Sequence, residues 1–252
     1  MIQPKIPNPR EAFLSLIRAD FTTQWRNRRA VVMSILVPAV ILVSWKGLVS
    51  KVGGPFVISI SLTIGLTSIG LMGYAISVAR DRDKGIFQRL RATPTPNFFI
   101  MISRLTVQLV MILLLVACVF IVGYRFDHIA LSPGGYALTF ATGIVGGALY
   151  LGLGQTIVGF VKNAETVSST TRLVYIAFLM LGMFGELNQF PAPINRMVHW
   201  SPFGTVRMLL TGSMDPGLWT QDTTIALFIS AAYAVVFCFL GIKWFKWNAA
   251  GA

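Results

Sequence analysis

The stretch FFIMISRLTVQLVMILLLVACVFIVGY, Phe98 to Tyr124, holds one charged residue, Arg104, close to its start. Roughly 20 predominantly apolar residues are enough for a helix to cross the hydrocarbon of a bilayer. In lipid only helices and closed barrels satisfy every backbone N–H and C=O. The stretch is therefore expected to be a membrane-spanning helix, with length to spare for tilt.

Five more runs of this kind flank it. Together they give expected spans at Ala30–Leu48, Pro55–Ala79, Phe98–Tyr124, Pro133–Val161, Thr166–Gly185 and Thr223–Trp244. The chain is 55% apolar and 12% charged, against about 25% charged in a typical soluble domain. No interval between the runs is long enough for a separate soluble core, so residues 1–252 are read as a single, all-α transmembrane domain. The first run begins after a long charged stretch, so it is read as a retained span rather than a cleaved leader.

A net charge of +12 would raise the question of nucleic acid on a soluble protein. Here the cations sit in short segments between apolar runs. Lys46, Lys51, Arg125, Arg196 and Arg207 fall on one side and the remaining Lys and Arg on the other. The positive-inside rule then places both termini in the cytoplasm of a cell-membrane protein and calls for an even number of spans. Nucleic acid is not an expected partner. Cys118 and Cys238 lie within apolar runs, where thiols behave as small hydrophobes. Gly143 and Gly147 have GxxxG spacing, for which intramolecular packing is favoured over a dimer contact.

Three segments are not spans. Residues 9–29 place Phe13, Leu14, Ile17, Phe21 and Trp25 at helical spacing among charges, the pattern of a helix lying in the membrane interface. Between the second and third spans, residues 80–96 read RDRDKGIFQRLRATPTP. Ile86 and Leu90 are one turn apart with Phe87 beside them, so a short helix ended by Pro94 and Pro96 would show a small apolar face ringed by charge. Residues 186–212 are amphipathic and interrupted by Pro191, Pro193 and Pro202. That pattern fits an outer re-entrant helical hairpin.

The segment at 80–96 resembles the signature of the type-2 permeases of ATP-binding-cassette exporters. The matching residues are Asp81, Asp83, Gly85, Ile86, Phe87, Leu90, Thr93 and Pro94, and Arg89 to Pro94 is especially similar to the daunorubicin-resistance-like, multidrug-export branch. Asp replaces the usual Glu at 81 and 83. The resemblance implies a helix of Asp81, Arg82, Asp83, Lys84, Gly85, Ile86, Phe87, Arg89, Leu90 and Arg91 that couples the chain to an ABC-type ATPase subunit. It also implies a homodimer, or a heterodimer with another permease. ATP and Mg would be bound by the partner, leaving this chain without a cofactor or catalytic residue. The implied activity is export of a hydrophobic or amphiphilic compound, drug-like, antibiotic-like or lipid-like. In the resembled family the first, second and fifth spans border the dimer cavity. Tyr175, Phe178, Met180, Met183 and Phe184 of the fifth are thus candidates for the substrate path, though such residues also face lipid or pack in a core. Phe190, Pro191 and Pro202 become candidates for an outer lid.

Chemistry of the chain's own is not evident. No Gly-Lys dipeptide occurs, so the phosphate-cradling GxxxxGK[ST] loop is absent, as are HExxH and GxSxG. Ionisable residues are expected only near span ends, which argues against ion coupling. Two rival classes remain. One is a membrane-embedded, lipid-acting enzyme using Glu186, Arg196 and His199. The other is a sensory subunit that binds an ATPase without transporting.

Overall fold

A computed structural model of the chain describes residues 8–91, 97–186 and 189–245. The side chain of Asn8 accepts from Arg10 N, and Pro9 fills the first turn of α1 (Pro9–Arg26), where its missing N–H is no loss. Phe13, Ile17 and Phe21 of the expected stripe are half-buried, with Phe13 5.0 Å from the Phe99 ring. Leu14 and Trp25 point outward, 63% and 59% exposed.

The chain bends by 58° into α2 (Arg28–Ser44). This helix has 17 residues, a rise of about 26 Å, and stops at Trp45 before the short α3 (Lys46–Val52). The expected span Ala30–Leu48 is thus broken at Trp45. At Gly53 φ is +87°, a conformation that favours glycine. There the chain turns into α4 (Gly54–Thr67), a π-helical segment (Ser68–Ala75) and α5 (Ile76–Asp83). These form one continuous helix, Gly54–Asp83, which extends past the expected end at Ala79 because the charged RDRD run continues it.

After a short turn come α6 (Ile86–Arg91), α7 (Asn97–Asp127), α8 (Pro133–Phe160) and α9 (Ala164–Glu186). Two short helices, α10 (Ala192–His199) and α11 (Pro202–Met214), precede a 3₁₀ turn (Pro216–Leu218) and α12 (Gln221–Lys243). Ser132, Ser201 and Thr220 cap α8, α11 and α12 by accepting from Gly135 N, Gly204 N and Thr223 N.

Among the described residues there is no strand. Five helices are long and apolar enough to cross a membrane, and the bent α1–α2 pair counted together makes a sixth. The architecture is the expected all-α, multi-pass one. Its centre is the Gly54–Asp83 helix, 78% of whose most apolar window is buried, whereas the corresponding value is 17% for Ala164–Gly185. Helix α8 packs across the centre on a spine of glycines. A Cβ on Gly154 would lie 2.4 Å from Gly70 O, one on Gly70 would lie 2.5 Å from the Tyr150 backbone, and one on Gly147 would overlap Ile112 at 2.3 Å. Small residues let helix backbones approach this closely. The Gly143–Gly147 pair therefore serves packing within the chain, against α7.

Candidate functional site

The basic end of the bundle is organised by α5. Helix α8 ends at Phe160, and the last carbonyls of a helix have no partner within it. Arg82 supplies one. Its Nη1 donates to Val158 O at 2.7 Å, and its Nη2 donates to Val161 O and Lys162 O, each at 2.8 Å. The guanidinium is 1% exposed, and its charge complements the negative end of the α8 dipole. The adjacent Asp83 accepts from Ala164 N at 2.7 Å, meeting the positive start of α9. One dipeptide of α5 thus clamps the end of α8 and the beginning of α9.

Beyond Lys84 the chain turns through Gly85, at φ +67°, into α6. Phe87 points back into the bundle and is fully buried. Its ring meets Phe245 edge-on at 5.7 Å and lies under the Arg104 guanidinium at 4.8 Å. Arg104 also pairs with Asp81 at 2.7 Å. On α1, Asp20 accepts a hydrogen bond from Ser103 Oγ. Burial holds the Asp20 carboxyl above the usual carboxylate range, with nearby Asp81 adding to it, against the opposing pull of Ser103 and Arg104.

The ten residues expected to couple to an ATPase thus divide. Asp81, Arg82 and Phe87 turn inward and tie α5–α6 to α7, α8 and the end of α12. Ile86 and Leu90 are half-buried, as is Gly85, while Asp83, Lys84 and Arg89 are exposed, together with Gln88. The side chain of Arg91 and the whole of Thr93 and Pro94 lie outside the described residues.

The path candidates divide as well. Tyr175 and Phe178 are half-buried and pack on the core, Phe178 6.4 Å from the Tyr150 ring. Met183 is half-buried. Met180 and Phe184 are 43% and 47% exposed and continue a face with Leu173 and Ile176, exposed at 70% and 54%. On the opposite end, Phe190 approaches Phe184 at 6.3 Å, Pro191 is an exposed cap of α10, and Pro202 opens α11 with its carbonyl accepting from Tyr150 OH at 3.1 Å. Helix α11 is almost wholly buried against α4, α8 and α12.

Sequence reasoning missed Arg207 on α11, expected in an outer segment but 7% exposed, with its guanidinium 5.3 Å from the Phe56 ring. It also missed the buried Tyr74 OH to Gln155 Oε1 bond of 2.8 Å. Of the rival enzymatic set, Arg196 is exposed and His199 half-buried beside Trp200. The Glu186 side chain lies outside the described residues. Among the described residues no group of three or more His, Cys, Asp or Glu is placed to hold a metal.

A bundle of long apolar helices, with a braced and partly exposed short helix at its basic end, has the build of a multi-pass membrane protein. Residues 11–214 match the ABC-2 type transporter family, and the chain belongs to that family. It is also 24% identical over 174 residues, 68% of each chain, to a protein of Bacillus subtilis (strain 168) named "Putative transport permease YvfS".

Proposed function

We propose that this chain is the permease subunit of an ATP-binding-cassette exporter, moving a hydrophobic or amphiphilic compound out of the cytoplasm with ATP hydrolysed by a separate subunit. The observation that carries it is the bracing of α6. A partner seated on Ile86, Gln88, Arg89 and the open side of Leu90 would press on a helix that Phe87 and Leu90 anchor to the core. Through Arg82 and Asp83 that force would reach α8 and α9 without passing through a flexible loop. Such an arrangement suits a subunit driven from outside.

In this reading α1 lies in the interface, α2 is the first of six spans, both termini are cytoplasmic, and α10–α11 form a re-entrant outer lid. The apolar face of α9 bearing Met180 and Phe184 borders a path shared with a second copy, and Mg-ATP stays in the partner. The name of the Bacillus subtilis relative supports a transport role.

The test is co-purification with a candidate ABC-type ATPase subunit co-expressed with this chain. Ile86→Asp with Leu90→Asp should abolish association, since a charge buried in an interface core is strongly unfavourable. Unchanged association and unchanged ATP hydrolysis would refute the docking role of α6. ATP-dependent movement of a labelled amphiphile in vesicles separates an exporter from a sensory subunit.

A further inference from the structure

Between the α1–α2 bend and the π segment lies a cavity of about 430 Å³, within the several hundred Å³ typical of ligand pockets. Met33, Met72 and Ile76 form its apolar wall, and Arg80 and Lys84 stand at the basic end. Those two cations are one helical turn apart, so they project to the same side. Both are exposed, and neither belongs to an ion pair among the described residues. Asp81, the one carboxylate in the wall, is held by Arg104 at 2.7 Å and does not neutralise them. The cavity is thus cationic at one end, and its apolar wall of Met33, Met72 and Ile76 is interspersed with the neutral polar Gln24, Asn27 and Ser77.

The π segment gives a second, independent indication. Turns of this kind are rare and are found often at functional sites, and here one contributes Met72 and Gly73 to the wall. At Gly70 the segment is tight against α8. At Gly73 an added Cβ would meet nothing nearer than Ser68 O at 3.8 Å. The segment is closed toward the bundle and open toward the cavity.

A cationic amphiphile would be repelled by Arg80 and Lys84, and a small hydrophilic anion would leave the methionine wall unused. We propose that this cavity is the loading site for an amphiphile with an anionic head, phosphate or carboxylate. Its head meets Arg80 and Lys84, and its first methylenes lie on Met33, Met72 and Ile76. The loading role rests on the exporter reading above; the binding does not, so the two fail separately.

The test uses the purified chain, without ATPase, in phosphatidylcholine nanodiscs with a diazirine-bearing dodecyl phosphate. Saturable cross-linking to the peptides around Met33 and Met72 is expected, displaced by dodecyl phosphate but not by dodecyltrimethylammonium or inorganic phosphate. Arg80→Gln with Lys84→Gln should weaken binding about tenfold or more, as expected for lost charge-assisted contacts. Gly73→Leu, which fills the cavity and leaves both cations in place, should abolish the saturable component. Labelling that does not saturate, or equal displacement by the cationic amphiphile, or no effect of either variant, would overturn the site. Displacement by phosphatidylglycerol added to the bilayer would assign the cavity to resident lipid and overturn its loading role.

Discussion

Replacing Arg82 by Met keeps most of the side-chain volume and removes the guanidinium. Three carbonyls, those of Val158, Val161 and Lys162, lose donors at 2.7–2.8 Å. Hydrogen bonds to charged groups contribute about 1.5–3 kcal/mol each. The gross loss is offset because the variant no longer buries a cation and because carbonyls at a helix end regain some water. A net destabilisation of about 3 kcal/mol is expected, which for a chain of this size lowers the unfolding midpoint by roughly 6–12 °C. Thermal unfolding in detergent micelles, followed by tryptophan fluorescence, measures it. Hydrogen exchange should quicken locally, at the amides around Lys162 to Glu165. Arg82→Lys should fall between the two, because an ammonium lacks the planar fork that spans several carbonyls. An Arg82→Met midpoint within about 1 °C of the parent, with unchanged exchange at Lys162 to Glu165, would refute the clamp.

Gly154→Leu should destabilise strongly, by about 3 kcal/mol or more, because its Cβ would meet the Gly70 backbone and overpacked backbone contacts relax poorly. Gly73→Leu should leave the midpoint nearly unchanged, and the same unfolding scan compares them. Asp20 has a raised folded-state pKa, so the folded chain holds that proton more tightly than the unfolded one. Its contribution is greatest below the ordinary carboxylate value and is lost as pH rises through the folded value. Asp20→Asn should therefore raise the midpoint at pH 7, with the difference shrinking as the pH falls toward 4. In a background with Cys118 and Cys238 replaced by Ser, Cys at Met180 or Phe184 should form an intermolecular disulfide on oxidation in the membrane. Cys at buried Leu149 should not, and denaturing gels separate the species.

The long spans were legible because apolar length is a local property of the chain. So was the short helix at Ile86–Arg91, announced by the spacing of Ile86 and Leu90. The interruption at Trp45 was not, since the run around it stays apolar while its backbone leaves the helix. Nor could local pattern reveal which way the charged segment faces. Arg82 and Arg89 look alike in sequence, but one meets carbonyls nearly 80 residues away and the other stays exposed. Phe87, expected to help form the docking face, instead packs on Phe245 near the far end of the chain. The π segment carries no composition of its own that separates it from the α-helix on either side.

Where Gly70 faces Gly154, the helix leading to α6 meets α8 backbone to backbone. Helices held by knobs in holes must climb out of one registry to reach another, whereas at this crossing two polar ties set the registry. The Tyr74–Gln155 hydrogen bond holds the middle of the crossing, and Arg82 holds the end of α8. Any shear of one helix along the other has to break the first tie before it strains the second.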